Sequence, residues 1–220
     1  MMKSRLFFIA PLFALAAQAA PVSPAVTPAA SPTAPAADNS PRLGHGFLIK
    51  HGEKLVFSPC RDRVYVMLED ASADRQVGRG LEMAGLADGR TLYVELFGVL
   101  DGNTLRASGL NLALADGRCQ RPGGSDEAWL ASGNDPGWML AAGGEKVSLQ
   151  RQGAPDVNLP YRIFTRQGEV AQFSGEGPEG RLDVRFEKKL CRDSRGGAIF
   201  GWTATIQVDG QSLQGCAWQR

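Results

Sequence analysis

Histidine is scarce in this chain: only His45 and His51 occur among its 220 residues. Nucleophilic catalysis by Ser or Cys needs a base to take the proton, and a His usually supplies it. There is also no G-x-S-x-G elbow, so the pattern argues against a serine or cysteine hydrolase. No C-x-x-C pair occurs among the four cysteines, which removes the usual spacing of a thiolate metal site. The glycine-rich GEGPEG at residues 175–180 lacks the Lys and the following helix that a phosphate loop requires.

Charge of one sign is missing as well. The chain carries 24 basic and 23 acidic side chains, and loss of Lys3 and Arg5 with a leader would leave 22 against 23. Nucleic-acid binding needs clustered cations, so it is not expected. Lys188, Lys189, Arg192 and Arg195 are the nearest thing to a basic patch and read as a solvated strand end.

What is present begins with MMKSRLFFIAPLFALAAQAA, in which Lys3 and Arg5 precede an apolar run from Leu6 to Ala17. The small-x-small triplet Ala17-Gln18-Ala19 follows, so residues 1–19 read as a secretory signal peptide. The run is shorter than the ~20 residues that cross a bilayer, and no later stretch is apolar enough to do so. No Cys adjoins the cleavage point, so no lipidation is expected. Residues 20–41 are nearly all Ala, Pro, Ser and Thr and read as an extended tether.

Cys60, Cys119, Cys191 and Cys216 all lie in the exported part, where oxidation favours disulfides. Four cysteines allow three pairings. If the chain forms two domains in series, pairing Cys60 with Cys119 and Cys191 with Cys216 is the scheme that keeps each bridge within a domain. The rest of the chain is a string of short alternating segments broken by Gly, Asn, Asp and Pro, the pattern of antiparallel barrels and sandwiches. Expected strands are 46–49, 55–59, 63–68, 91–100 and 104–114, with a short helix over 77–86. After the turn-rich RPGGSDE at 121–127, strands are expected over 128–132, 137–142, 146–151, 161–165, 170–174, 181–188, 200–208 and 212–218. Asp101-Gly102-Asn103 and Asp209-Gly210 are hairpin signals.

Candidate chemistry is thin. Glu69, Asp70 and Glu95 could pair as glycosidase carboxylates, but any β protein supplies as many. His45, His51, Met67 and Met83 are the candidate ligands of a copper site, although Met67 and Met83 also fit apolar core positions. Trp129, Trp138, Trp202 and Trp218 all fall after residue 125 and read as a core cluster over a disulfide rather than an exposed platform.

Three stretches of the second half carry a resemblance: ASGNDPGW (131–138), CRDSRGGAIFGWTATI from Cys191, and LQGCA (213–217). Residues 125–220 resemble an uncharacterised family of bacterial envelope proteins, matched at Cys191, Asp193, Gly197, Phe200, Gly215 and Cys216. Arg195 and Gly196 stand where that family has Met-Ser. The resemblance implies a small β-barrel with a Cys191–Cys216 bridge and no established activity. In the first half, GFLIKHGEKLVFSPC (46–60) and YVELFGVL (93–100) are similar to the C-terminal OB-like domain of the NlpE lipoproteins. The triplet Cys60-Arg61-Asp62 repeats as Cys191-Arg192-Asp193, yet the residues that follow do not align, so the two read as independent anchors. Asp193 is expected to hold a turn beside its bridge.

The expected architecture is all-β: two small antiparallel barrel or sandwich domains in series, 42–121 and 125–220, each with one disulfide. The expected role is non-catalytic: a periplasmic or secreted monomer, without cofactor, that binds an envelope protein or small ligand. Inhibition of lysozyme-type enzymes through Asp193-Ser194-Arg195, and copper handling, are the alternatives.

Overall fold

The computed structural model describes residues 39–62, 64–119 and 127–220. The expected leader (1–19), the expected tether up to residue 38, Arg63 and residues 120–126 lie outside the described residues. Mostly strands, the fold is a five-stranded barrel beside a curled sheet, with two disulfides. No helix among the described residues is long and apolar enough to cross a membrane.

Strands β1 (Arg42–His51), β2 (Lys54–Pro59), β3 (Val66–Asp70), β4 (Thr91–Asp101) and β5 (Thr104–Leu114) build the barrel. Gly52 and Gly102, both at positive φ, turn the β1–β2 and β4–β5 hairpins. The sheet runs β5-β3-β2-β1-β4, and β4 pairs with β5 again to close it. Closure requires β3 and β5 to run parallel, from Met67↔Thr104 to Asp70↔Ala107, which departs from the expected all-antiparallel pairing. A parallel pair needs a crossover, and part of it is helix α1 (Gln76–Met83). Val77 and Leu81 lie on one helical face and bury fully in the barrel core with Leu48, Leu92 and Leu96. Asp70 accepts from the Gly78 amide at 2.8 Å and the Ser72 amide at 2.9 Å, fixing the loop that enters the helix.

The second sheet takes strands β6 (Glu127–Asn134), β7 (Gly137–Gly143), β8 (Lys146–Arg151), β9 (Ala154–Pro160), β10 (Thr165–Gln167), β11 (Val170–Gly177) and β12 (Gly180–Glu187). The chain then makes two short strands, β13 (Cys191–Arg192) and β14 (Ile199–Phe200), before β15 (Trp202–Val208) and β16 (Gln211–Gln219). The order β10-β11-β12-β15-β16-β6-β7-β8-β9 is antiparallel throughout, and β9 curls back toward β11. Every second residue faces the concave side, as Leu182, Val184 and Phe186 show, and these bury with Trp129, Phe164 and Trp202. Asp209 and Gly210 both take positive φ in the β15–β16 turn, as an Asp-Gly hairpin requires.

Two segments differ from expectation. Residues 161–164 carry no strand, and the strand before them is β9, which holds Pro155 and Pro160. Proline is tolerated there because β9 is a sheet edge. Phe164 instead drops into the core, its ring stacked 5.3 Å from Phe186 and 5.5 Å from Phe173.

The other difference matters more. The expected strand 200–208 breaks at Gly201, and the chain changes sheets there. Ile199 and Phe200 pair with Ala113 and Leu112 of the barrel, whereas Trp202 onward pairs with β12 and β16. Only glycine fits the crossing: a Cβ at Gly201 would lie 1.7 Å from the Leu110 carbonyl oxygen. The disulfides are Cys60–Cys119 and Cys191–Cys216. The first lies within the barrel half. The second joins β13 of the first sheet to β16 of the second, so it ties the sheets together. Residues Asp38–Arg220 accordingly form one compact unit.

Candidate functional site

The seam between barrel and curled sheet gathers the polar and charged groups of the interior. Bulges between Glu95 and Leu96 and between Phe97 and Gly98 bend β4 against β5. On the outer side of this bend the carboxylate of Glu95, which is buried, accepts from the Tyr93 hydroxyl at 2.9 Å and the Asn111 amide at 2.7 Å. Asn111, fully buried, also clips the backbone of Gln219: its Nδ2 donates to the Gln219 carbonyl and its Oδ1 accepts the Gln219 N–H, each at 2.8 Å. The Gln219 side chain then accepts from Arg166 Nη2 at 2.7 Å. A continuous hydrogen-bonded chain therefore runs from the barrel to the edge hairpin β10–β11.

A cleft of about 450 Å³ opens beside this chain, lined by Phe97, Ser108 and Gly109 of the barrel and by Arg166, Glu169, Lys188 and Trp202 of the sheet. Small-molecule sites fall in roughly the 300–1,000 Å³ range. Arg166 is set by its neighbours, its guanidinium carbon 5.5 Å from the Trp129 ring centroid and 5.8 Å from that of Trp202. Gly168, at positive φ, turns the hairpin that carries Arg166, and the Glu169 carbonyl accepts the Lys188 N–H at 2.8 Å. The end of the Lys188 side chain lies beside Gly109, whose Cβ position is 3.4 Å from Lys188 Cε. Lys188 Nζ donates to the Ser108 carbonyl at 3.3 Å.

The cations of the β12 face are differently placed. Arg181 pairs with Asp183 at 2.9 Å, and Glu187 takes both Arg185 at 2.7 Å and Lys189 at 2.6 Å. The hydrogen bond from Arg181, then that from Ser174, holds the Asp183 carboxyl below the usual range, and Lys189 and Arg185 do the same for Glu187. These charges satisfy one another, whereas the contacts of Arg166 and Lys188 are to neutral acceptors.

Lys188, Lys189, Arg192 and Arg195, read above as a solvated strand end, do not form one patch. Lys188 turns into the seam, Lys189 pairs with Glu187, Arg192 donates to the Met83 carbonyl, and Arg195 donates to the Asn134 carbonyl at 3.1 Å. The copper candidates are also dispersed. His45 and His51 lie six residues apart on β1, about 20 Å at the rise of a strand. Met67 sits on β3 and Met83 at the end of α1. No cluster of three His, Cys, Asp or Glu groups with metal-binding geometry occurs among the described residues. The candidate carboxylates separate too: Asp70 fixes the helix entry, Glu69 lies 3.7 Å from Arg106 on the surface, and Glu95 is buried in the seam.

Asp193 closes a turn beside the second bridge. Its N–H donates to the Ala198 carbonyl at 2.8 Å, its carboxylate accepts from the Gly196 amide and from Asn134, and Gly197 adopts positive φ. Burial pushes its carboxyl upward, but the Gly196 and Asn134 hydrogen bonds, with Arg195 nearby, outweigh that and hold it low. Phe200 packs against Trp218, ring centroids 4.8 Å apart, next to Cys216. Gly215 admits the Ser132 carbonyl, 2.0 Å from where a Cβ would be. Of the four tryptophans, Trp218 alone packs with the bridge, while Trp129, Trp138 and Trp202 fill the sheet core.

Arg166 and Glu169 lie outside every motif of the sequence, and Phe97, though within YVELFGVL, carries no functional signal there. Their only signal is a cation beside a Gly turn, which acquires meaning once the hairpin lies against the barrel. No family model, curated protein or solved structure matches this chain, so the geometry and chemistry of the seam carry the functional reading.

Proposed function

We propose that this chain is an exported, non-catalytic binding protein of the cell envelope that seats its ligand in the seam between barrel and curled sheet. The observation that carries this reading is the cleft of about 450 Å³ built from both sheets, lined by Arg166, Glu169 and Lys188 together with Phe97 and Trp202. Export is supported by the leader-like start of the sequence and by two disulfides, which persist in oxidising compartments. The barrel order β1-β2-β3-β5-β4 with a helix between β3 and β4 supports the OB-like reading, and such barrels serve as binding scaffolds. The dispersal of the acidic side chains and of the histidines supports a role without bond breaking. Inhibition of lysozyme-type enzymes gains less support, since the Asp193-Ser194-Arg195 loop spends its polar groups on Asn134 and Gly196.

The test is amide chemical-shift mapping of the exported chain against defined envelope fragments: muropeptides, lipid headgroups, neutral glycans and short peptides. Shifts concentrated at Phe97, Ser108, Gly109, Glu169 and Lys188 are expected for at least one of them. A fragment that binds and maps to another surface would overturn the assignment.

A further inference from the structure

We infer that the seam cleft recognises an anionic headgroup, a carboxylate or a phosphate, on a ligand that also has an apolar stem. The inference depends on the reading of the seam as the binding site and adds the chemistry of what enters it.

Charge is the first ground. Arg166 and Lys188 both line the cleft, and among the described residues neither has an acidic partner at ion-pair distance. Arg166 spends one N–H on Gln219 and Lys188 one on the Ser108 carbonyl. Guanidinium carries five donors and ammonium three, so most of this capacity has no protein acceptor among the described residues. By contrast, Arg181, Arg185 and Lys189 on the β12 face are all matched with carboxylates.

Preorganisation is the second. The two indoles and Gln219 hold the Arg166 fork in place before any ligand arrives. A planar fork fixed in this way suits bidentate contact with carboxylate or phosphate oxygens. Lys188 is held by the Ser108 carbonyl, and the end of its side chain lies beside Gly109.

The remaining walls set the rest of the ligand. Phe97, Pro41 and the edge of Trp202 offer apolar contact. Glu169 stands in the same cleft, so its negative charge opposes a purely anionic ligand and favours one that adds an amino group at that end.

The experiment titrates the exported chain, followed by amide shifts, with four compounds sharing a phenylalkyl stem: 4-phenylbutyrate, 3-phenylpropyl phosphate, 4-phenylbutyramide and 4-phenylbutylamine. The two anions are expected to shift seam resonances and to bind about tenfold or more tightly than the amide and the amine, as expected for hydrogen bonds to charged groups. Arg166→Gln and Lys188→Met should each remove most of that difference while the melting temperature stays near that of the parent. Glu169→Gln should tighten the anions. The stronger of the two anions identifies the headgroup as phosphate ester or carboxylate. If the amide or amine binds the seam as tightly as the anions, the charge inference fails and the seam reading survives. If the compounds bind and shift only residues elsewhere, both fail.

Discussion

Replacing Cys191 and Cys216 together with Ala removes a bridge that spans 25 residues of sequence and joins the two sheets. On the chain-entropy account a loop of that length contributes about 3.5 kcal/mol at 25 °C. A folded body of this size loses about 2–4 °C of melting temperature per kcal/mol, so the midpoint should fall by roughly 7–14 °C. The position of the bridge adds a local expectation. Strand β14 holds β5 through two residue pairs, and the Gly201 amide donates to the Asn111 carbonyl at 3.0 Å just beyond them. Without the bridge this crossing should open ahead of both sheets, so the Gly201 amide should exchange faster than those of β4 and β12. Calorimetry gives the first quantity and native-state hydrogen exchange the second. The Cys60→Ala/Cys119→Ala variant is the control: its separation of 59 residues predicts a loss of about 4 kcal/mol, with Gly201 protection following global stability. A loss under about 1 kcal/mol for the Cys191/Cys216 variant, with Gly201 still among the slowest amides, would refute the claim that this bridge fastens the seam.

Gly201→Ala places a methyl 1.7 Å from the Leu110 carbonyl oxygen, so the backbone must move; a loss of about 1–3 kcal/mol in urea unfolding is expected, and a neutral result would count against the close crossing. Phe164→Ala opens the stack with Phe173 and Phe186 and should cost about 3–5 kcal/mol, whereas a loss near zero would show the ring does not fill the core. Asp193 has a folded pKa held below its unfolded value, so its contribution is present above about pH 3.9 and is lost as pH falls through the folded value. The melting-temperature advantage of the parent over Asp193→Asn should therefore be level from pH 7 to about 5 and shrink below about pH 4. An advantage that grows on acidification would contradict the hydrogen-bond geometry.

Strand content and hairpin turns were legible because alternation and the turn residues act locally. Leu182, Val184 and Phe186 announce a half-buried strand, and Asp209-Gly210 announces the turn between β15 and β16. Strand β9 was hidden because Pro155 and Pro160 argue against a strand unless it is known to be an edge, and edge status is a property of the whole sheet. The parallel pairing of β3 with β5 was hidden for the same kind of reason: it follows from barrel closure, not from either strand's residues. The sheet change at Gly201 falls inside IFGWTATI, a strand-like stretch without charge or proline, where a single glycine is the only local break between Phe200 and Trp202. The seam inherits that difficulty, because Phe97, Arg166 and Lys188 lie far apart in sequence and meet only through the crossing.

Ile199 packs fully buried among the core residues of the barrel, and Leu190 lies against the same cluster. The barrel core is thus completed by side chains from the second half of the chain. Burial of one such aliphatic side chain contributes on the order of 1.5–3 kcal/mol, so a fragment ending before residue 127 leaves a hole in its core and bares the β5 edge that β14 covers. During synthesis the barrel strands emerge well before the residues that complete them. The last plug arrives from a later stretch of the chain, which makes the order of assembly, and any attempt to graft or excise the barrel, depend on a segment some eighty residues downstream of its final strand.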